Sequence, residues 1–436
     1  MRTGRLAPGT PLPSSRVLAG DLGLARATVV DAYAELAAEG WLTARQGGAT
    51  RVAPSAPTPG DASHPTTVPP GAGVVHDLRP GRPDTSVFPR AAWAQALRRA
   101  LATAPDAAFD YGDPAGHPRL RAALVSYLAR VRGVRARPGQ VVVAAGATEA
   151  LRLLGGVLTE RTGAGLAVEE HGLPAHRRML DGLGRPTVVL AVDDEGARTH
   201  TLPALTATSG PRAVLLTPAH QFPVGVPLAP ARRTAAVAWA REVDGFVVED
   251  DYDGEFRYDR RPVGALQGLD PERVVHLGTA SKALAPGLRL GWMVLPEPLA
   301  RSVTARAPGS VGIVDQLALA DLLDSGGYDR QVRTARRRYR QRREELAGVV
   351  EARASAVRVV GHPAGLHALL DLPPGTEADV VDRARRHGIA VEGLARFRHP
   401  DAVARRDGLV VGFATPSASA WSGALSALGD LLAEVG

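Results

Sequence analysis

The stretch TASKALAPGLRLGW (residues 279–292) contains Lys282, the only lysine of the chain. Lysine and arginine together number 52 among 436 residues, so the other 51 basic side chains are arginines. Arginine replaces lysine wherever a positive charge is enough, but its guanidinium stays protonated and does not attack a carbonyl. A primary amine kept at this one position predicts that Lys282 forms an imine with a carbonyl compound.

Other residues near this lysine suit a phosphate group. Thr279 lies three residues before it and Arg289 lies seven residues after it, so a hydroxyl and a guanidinium could hold a phosphate beside the imine. The stretch VVVAAGATEALRLLGGVL (141–158) predicts a strand, a glycine turn and a helix, with the amides of Ala147 and Thr148 free at the helix N-terminus. The sequence therefore predicts a phosphate site next to the reactive amine.

A third stretch, GFVVEDDYDGEFRY (245–258), predicts a buried strand that ends in acidic residues. Open α/β sheets bind ligands at the carboxyl ends of their strands, and Asp250 and Tyr252 are two residues apart, so both can point to the same side. An aldehyde-binding lysine, a phosphate site and a buried acid together indicate pyridoxal 5′-phosphate. In that cofactor a carboxylate keeps the ring nitrogen protonated and a tyrosine hydroxyl holds the ring oxygen.

The composition excludes several classes of protein. Without cysteine the chain forms no disulfides and no thiolate metal sites, and we predict no metal ion. The start MRTGRLAPGT lacks the apolar core of a signal peptide and no run of 18 apolar residues occurs, which predicts a cytoplasmic protein without membrane contact. The net charge of +7 favours nucleic acid only weakly, because much of it lies in 330–346, interpreted as a solvated helix face.

Composition divides the chain into three segments. Residues 1–52 are compactly patterned, residues 53–76 are rich in Pro, Ser, Thr and Gly and predict an extended linker, and residues 77–436 alternate strand and helix patterns. Six short apolar runs in the last segment predict an α/β domain whose mostly parallel sheet has helices on both faces. We expect a large subdomain at about 100–310 and a small α+β subdomain at about 311–436.

The N-terminal segment is patterned like a DNA-binding domain. A first helix capped by Ser14 or Ser15 runs to about Leu22, and a second runs from about Arg26 to Glu39. The stretch WLTARQGGATRV (41–52) then alternates around a Gly-Gly turn and predicts a wing. In a helix-turn-helix the second helix enters the major groove; the residues expected at DNA are Arg16, Arg26, Thr28 and Gly48. The alternative is an ordinary helical subdomain, because any pair of helices contains arginines.

Over about 40 residues this segment resembles the winged helix of GntR-type regulators, through LPSSR, the TVVDAYAEL helix, EGWL and the GGAT turn. Two departures accompany the resemblance. Ala25 stands where a serine usually caps the recognition helix, which costs about 1 kcal/mol. The helix that normally precedes GRLAPG is not part of this sequence, so either the true start lies upstream or the winged helix is incomplete.

Residues 77–436 resemble the fold-type I aminotransferase domain in the version fused to a GntR-type winged helix in MocR/GabR regulators. The matching stretches include DLRPGRPDTSVFPR, YGDPAGHPRLRAAL, TPAHQFPVGVPL, VVEDDYDGEFRY and GTASKALAPGLRLGW. The resemblance implies covalent attachment of pyridoxal phosphate to Lys282, a pairing of Asp250 with the pyridine nitrogen and a contact of Tyr252 with the ring hydroxyl. It assigns the phosphate to Thr279, Arg289, Ala147 and Thr148.

The same resemblance implies a homodimer, domain-swapped or head-to-tail, in which Tyr111 reaches the phosphate of the neighbouring subunit. His220 or Gln221 takes the place where plain aminotransferases carry an asparagine beside the ring oxygen, and the sequence does not choose between them. Leu173 stands where relatives have a tyrosine that covers the ring. Val410 stands where relatives often have the arginine that binds an α-carboxylate. The arginines that could substitute for it are Arg396, Arg398, Arg405 and Arg406.

Three functions follow from these observations. The first is a transcriptional regulator that binds double-stranded DNA and whose aminotransferase-like domain responds to an amine or to pyridoxal phosphate itself. The second is a working aminotransferase with a vestigial DNA-binding segment, against which Leu173 and Val410 count. The third is a degenerate domain without cofactor, which would leave Lys282, Asp250 and Arg289 without a task.

Overall fold

The computed structural model describes residues 6–43, 49–53, 73–207, 210–258, 263–309, 311–403 and 405–435. The chain forms two compact units, Met1–Ala72 and Gly73–Gly436. Gly48, the predicted wing contact, and most of the predicted linker lie outside the described residues.

The first unit contains a helix pair and a two-stranded sheet: α1 (Ser15–Leu22), α2 (Arg26–Ala38), β1 (Leu42–Thr43) and β2 (Arg51–Val52). The hydroxyl of Ser14 accepts a hydrogen bond from the amide of Val17, and Gly23 ends α1 in the left-handed region at φ 64°. At the start of α2, Ala25 supplies no side-chain cap. Both predicted helices are therefore confirmed, with the uncapped start that the sequence indicates.

The antiparallel pair β1–β2 forms the base of the predicted wing. The chain that precedes α1 extends this pair, because Pro11 bridges Arg51 and the amide of Val52 donates to the carbonyl of Thr10. The Tyr33 hydroxyl on α2 donates to the carbonyl of Pro13, 2.9 Å away, and fixes α2 against the same segment.

The second unit alternates strands and helices. Its strands are β3 (His76–Asp77), β4 (Val141–Ala144), β5 (Ala167–Glu169), β6 (Val188–Leu190), β7 (Val192–Asp193), β8 (Gly196–Ala197), β9 (Ala213–Leu216), β10 (Phe246–Asp250), β11 (Val274–Thr279), β12 (Gly291–Val294), β13 (Arg358–Val360), β14 (Ala368–Asp371), β15 (Ile389–Ala390), β16 (Glu392–Gly393) and β17 (Gly408–Val411). Its helices are α3 (Arg90–Thr103), α4 (Pro118–Arg132), α5 (Ala147–Thr162), α6 (Pro174–Asp181), α7 (Leu202–Thr206), α8 (Pro230–Glu242), α9 (Glu297–Thr304), α10 (Ile313–Asp324), α11 (Gly327–Arg353), α12 (Glu377–Arg386) and α13 (Ala418–Ala433).

Within the described residues, seven strands form the central sheet in the order β4-β12-β11-β10-β9-β5-β6. The strands from β11 to β6 are parallel, whereas β12 is antiparallel to both β11 and β4. Successive residues alternate between two cores: Val142 packs in the core that contains α5, and Val143 in the one that contains α4. Helices thus cover both faces, as predicted, and the six predicted strands are β4, β5 and β9–β12.

A second, antiparallel sheet in the order β13-β14-β17-β16 is the core of the small α+β part. The first strand of the unit, β3, belongs to the same part of the chain fold, because it pairs with β15. Helix α10 instead packs on α3 and α4 of the large part, although it follows residue 311. No helix of the described ranges has the length and apolar character needed to cross a bilayer.

Candidate functional site

A cavity of about 740 Å³ lies at the carboxyl ends of β5, β9, β10 and β11. It is lined by eight of the predicted site residues: Ala147, Thr148, Leu173, Asp250, Tyr252, Thr279, Lys282 and Arg289. Residues from distant parts of the sequence converge there because parallel strands end at the same edge of the sheet.

Lys282 lies in the turn after β11, and its Nζ donates a 2.6 Å hydrogen bond to the carbonyl of Gly81. Burial lowers the pKa of the amine, and the carboxylates of Asp250 and Asp253 partly oppose that shift. Because a lower pKa increases the unprotonated fraction, the site favours the form of the amine that attacks a carbonyl.

Asp250 is the last residue of β10 and is 9% exposed. Burial raises the pKa of this carboxyl to about 7, against the opposing effect of Lys282. Among the described residues, no group donates a hydrogen bond to the carboxylate. A protonated ring nitrogen would be the missing partner, so this side chain fits the pyridine ring of the predicted cofactor.

The predicted phosphate residues converge at the N-terminus of α5. Gly146 precedes this helix at φ 88°, and a Cβ there would lie 3.2 Å from the guanidinium carbon of Arg289. Arg289 itself has φ 52° and donates from Nη2 to the carbonyl of Ala145, 2.8 Å away. The first amides of α5, an adjacent guanidinium and the hydroxyl of Thr279 form a cradle of donors that fits a phosphate group.

A further hydroxyl next to these phosphate donors was not predicted from the sequence. Ser281 lines the cavity, and its Oγ lies 2.8 Å from Oγ1 of Thr279. Its signal in the sequence is its position directly before the only lysine. Thr148 on α5 also has an unexpected partner, because its Oγ1 lies 3.1 Å from Nε2 of His176.

Neither of the two residues left open for the contact with the ring oxygen lines the cavity. His220 and Gln221 are buried and do not line the cavity, whereas Phe222 does. Gln221 donates from Nε2 to Glu169 and to two backbone carbonyls. The Phe222 ring meets the Tyr252 ring edge to face, with centroids 5.9 Å apart. Phe222 and Tyr252 together therefore form an aromatic part of the cavity wall.

His220 contacts the site through Tyr252. Its Nδ1 lies 2.8 Å from Oδ2 of Asp253 and 3.2 Å from the Tyr252 hydroxyl. Among the described residues, His220, Asp253 and His367 form a group with the composition of a metal site. Their possible ligand atoms lie within 4.8 Å of one another. The His367 Nε2 atom is 3.2 Å from the carbonyl of Pro223, while Nδ1 has no hydrogen-bond partner.

Other predicted residues lie away from the cavity. Tyr111 is fully exposed, so a contact with the phosphate would require another chain. Val410 is buried on β17 in a cluster with Phe222 and Phe397. The four arginines considered as substitutes do not line the cavity; Arg396 pairs with Glu392 and Arg406 with Asp371.

Several lining residues were not predicted from the sequence: Arg82, Glu169, His171, His176, Arg177 and Thr415. Burial raises the pKa of Glu169 to about 7. Burial, followed by the charge of Lys282, lowers the pKa of His176 to about 4. Near pH 7 the imidazole of His176 is therefore neutral, and the carboxyl of Glu169 is about half protonated.

In the first unit, the predicted DNA contacts Arg16, Arg26 and Thr28 are exposed. Arg26 begins α2 and Thr28 follows within its first turn, where residues of a recognition helix meet base edges or phosphates.

Comparisons with known proteins agree with this architecture. Residues 77–403 match the family model "Aminotransferase class I and II", and residues 1–52 match "Bacterial regulatory proteins, gntR family". The chain is 36% identical over 404 residues to the HTH-type pyridoxine biosynthesis transcriptional regulator PdxR of Corynebacterium glutamicum, covering 90% of this chain and 85% of that one. It is 32% identical over 439 residues to the probable rhizopine catabolism regulatory protein MocR of Rhizobium meliloti, covering 94% and 87%.

The fold also resembles solved aminotransferases. An archaeal alanine:glyoxylate aminotransferase superposes with a TM-score of 0.75 at 23% identity, over 83% of this chain and 91% of that chain. This likeness concerns the fold.

Proposed function

The chain belongs to the MocR/GabR-type transcriptional regulators, with a gntR-family domain followed by an aminotransferase class I and II domain, and on this premise we propose how its site works. Pyridoxal phosphate binds covalently at Lys282, and an amine, or the cofactor itself, is the signal that changes DNA binding. The observation that carries this proposal is the convergence of a half-buried lysine, a buried acid without a hydrogen-bond donor and a group of phosphate donors in one cavity.

Each residue has a distinct part in this proposal. The cofactor supplies an aldehyde and an electron-withdrawing ring. Lys282 provides the amine, Asp250 stabilises a protonated ring nitrogen, and Arg289 with the α5 amides holds the phosphate. Tyr252 orients the ring oxygen, and Leu173 covers the ring with apolar contact in place of aromatic stacking.

The partners follow from the same observations. Exposed Arg16, Arg26 and Thr28 would contact double-stranded DNA, and the protein would act in the cytoplasm. The full exposure of Tyr111 supports a homodimer in which this residue completes the partner's site. That PdxR is named for pyridoxine biosynthesis favours the cofactor as one candidate signal.

The proposal is tested on the purified holoprotein by its visible absorption band and by a gel shift with the DNA upstream of its own gene. Lys282→Ala and Lys282→Arg should both lose the band, since neither retains a primary amine, and operator binding should no longer respond to pyridoxal phosphate or amines. Arg301→Ala, a change at an exposed residue outside the cavity, is the control. Multiple turnovers with an amino donor and a 2-oxo acid, without any specific gel shift, would instead support the working aminotransferase.

A further inference from the structure

Three buried side chains next to the cavity have no part in the proposed function. They are His220, Asp253 and His367, and each is almost fully buried. One nitrogen or carboxylate oxygen of each residue lies within 4.8 Å of the corresponding atoms of the other two. None of the three lines the cavity, so this histidine–aspartate group is distinct from the residues assigned to the cofactor.

The hydrogen bonding of His367 leaves one ring nitrogen available to a ligand. Its Nε2 atom lies 3.2 Å from the carbonyl of Pro223, and because a carbonyl only accepts hydrogen bonds, Nε2 carries the ring proton. In the neutral imidazole Nδ1 then keeps a lone pair, which has no hydrogen-bond partner among the described residues. Histidines that bind metal ions donate their other ring N–H in the same way, often to a backbone carbonyl. His367 therefore has the hydrogen-bond arrangement of a metal ligand.

The other two members of the histidine–aspartate group are in direct contact. Nδ1 of His220 lies 2.8 Å from Oδ2 of Asp253. A Cβ at Gly365, where φ is 72°, would lie 2.5 Å from both of these atoms. Glycine thus keeps a side chain out of the space beside an imidazole nitrogen and a carboxylate oxygen that already lie together.

We propose that His220, Asp253 and His367 bind one zinc ion. Two imidazoles and a carboxylate are a ligand set that zinc takes in proteins, with water in the fourth position. Hard cations such as Mg²⁺ instead prefer sites made of oxygen atoms alone. The sequence-based prediction of no metal ion rested on the absence of cysteine, which leaves sites of histidine and carboxylate open.

The geometry is near that of an occupied site without matching it. Zinc bonds of about 2.0–2.1 Å place tetrahedral ligand atoms about 3.4 Å apart, so binding requires side-chain shifts of about 1 Å. Zinc would also replace the proton between His220 and Asp253, because metal ligands bind in their deprotonated form.

Two aromatic rings separate the histidine–aspartate group from the cavity. Tyr252 and Phe222 both line the cavity. On their other side, the Tyr252 hydroxyl lies 3.2 Å from Nδ1 of His220. The Phe222 ring meets the His367 ring with centroids 5.0 Å apart. Movement of these two rings would admit an ion from the cavity to the group.

The test titrates the untagged full-length holoprotein, freed of metal by a chelator, with zinc chloride in a calorimeter. We expect one zinc ion per chain and no comparable binding of magnesium chloride. A second titration uses cobalt(II) chloride, because Co²⁺ in a tetrahedral protein site absorbs much more strongly in the visible range than hydrated Co²⁺. The cobalt spectrum therefore reports on the ligand geometry independently of the affinity.

His367→Phe and Asp253→Asn should each weaken zinc binding by at least about 100-fold, the upper end of what loss of a second-shell partner costs. His367→Phe keeps an aromatic ring against Phe222, and Asp253→Asn keeps the shape of the side chain, so both variants should fold; far-UV circular dichroism checks this. His200→Gln is the matched control, because this histidine is exposed and lies outside the group. It should bind zinc like the wild type.

The outcomes separate this site from the cofactor site. A wild-type chain that binds no zinc overturns the proposal and makes a buried water the partner of the free His367 nitrogen. Zinc binding that survives in both variants places the ion elsewhere and also overturns it. Neither result bears on the visible absorption band that tests Lys282, so the proposed function stands or falls separately.

Discussion

The cofactor cavity and the DNA-contact helices use charge in opposite ways. In the cavity, Asp250 and Lys282 are held near strand ends, where burial shifts the pKa of each. In the first unit, Arg16 and Arg26 are exposed and the described core is small, with buried side chains such as Val29 and Leu42. The surroundings of the cavity groups therefore change their protonation state, whereas the arginines on α1 and α2 stay charged and are available for contact with DNA.

The largest expected effect is a loss of stability in a variant of Asp251, the neighbour of Asp250. Asp251 pairs with Arg132 at 2.6 Å, and both side chains are almost fully buried. Asp251→Asn leaves that guanidinium uncompensated and should lower the free energy of unfolding by about 3–5 kcal/mol. Urea unfolding of the apoprotein measures this loss, with Asp244→Asn, an exposed acid, as the control. Unchanged stability would show that this buried pair contributes nothing to the fold.

Asp250→Asn should have a smaller effect, on cofactor binding. The variant loses the charge proposed to pair with the ring nitrogen, and the affinity for pyridoxal phosphate should fall by about 1.4–2.8 kcal/mol, or roughly 10-fold to 100-fold. Fluorescence titration of the apoprotein measures the affinity. Equal affinities of variant and wild type would remove Asp250 from the cofactor site.

The same carboxyl predicts how the stability of the apoprotein depends on pH. Its folded pKa of about 7 lies above the ordinary value of 3.8, so between these values the folded state binds more protons than the unfolded state. The contribution of Asp250 to stability is thus present at low pH and is lost as pH rises towards 7. Melting temperatures of the apoprotein should fall less steeply over this range in Asp250→Asn than in the wild type. Parallel curves would contradict the raised pKa.

On the DNA side we expect effects that salt screens. Arg26→Ala and Arg16→Ala should each weaken operator binding and reduce the slope of log affinity against log salt concentration by about 0.9 per lost phosphate contact. The cofactor absorption band should remain unchanged, which separates the two regions experimentally. A slope equal to that of the wild type at both positions would place DNA on another surface.

The smallest effect concerns the start of α2. Ala25→Ser restores a side-chain cap at a position where the structure shows none, and should stabilise the first unit by about 1 kcal/mol. Thermal unfolding of this unit in the full chain, followed by hydrogen exchange of the α2 amides, measures the gain. Ala38→Ser at the other end of α2 is the control, because a hydroxyl there satisfies no free amide.

A residue that no other side chain can replace chemically is easy to recognise in the sequence. A residue of a common type, which lines the cavity only because of the fold, is not. Lys282 is recognisable because no other side chain supplies its amine, and the strand pattern alone places Asp250 at the ligand-binding edge. Arg82 and Arg177 are two of 51 arginines, and only the fold brings them to the cavity. Likewise the resemblance left His220 and Gln221 open for the ring oxygen, and only the fold shows that both are buried outside the cavity lining, whereas Phe222 is part of it.

The bond from Lys282 to the carbonyl of Gly81 has a mechanical consequence. Gly81 lies eight residues after Gly73, where the second unit begins. The same segment is also held by the pairing of β3 with β15 and by the bond from Thr415 Oγ1 to the carbonyl of Arg79, so the Lys282 bond is one of several anchors. The first turn of the chain that enters the second unit is therefore held in part by a side chain of the cavity.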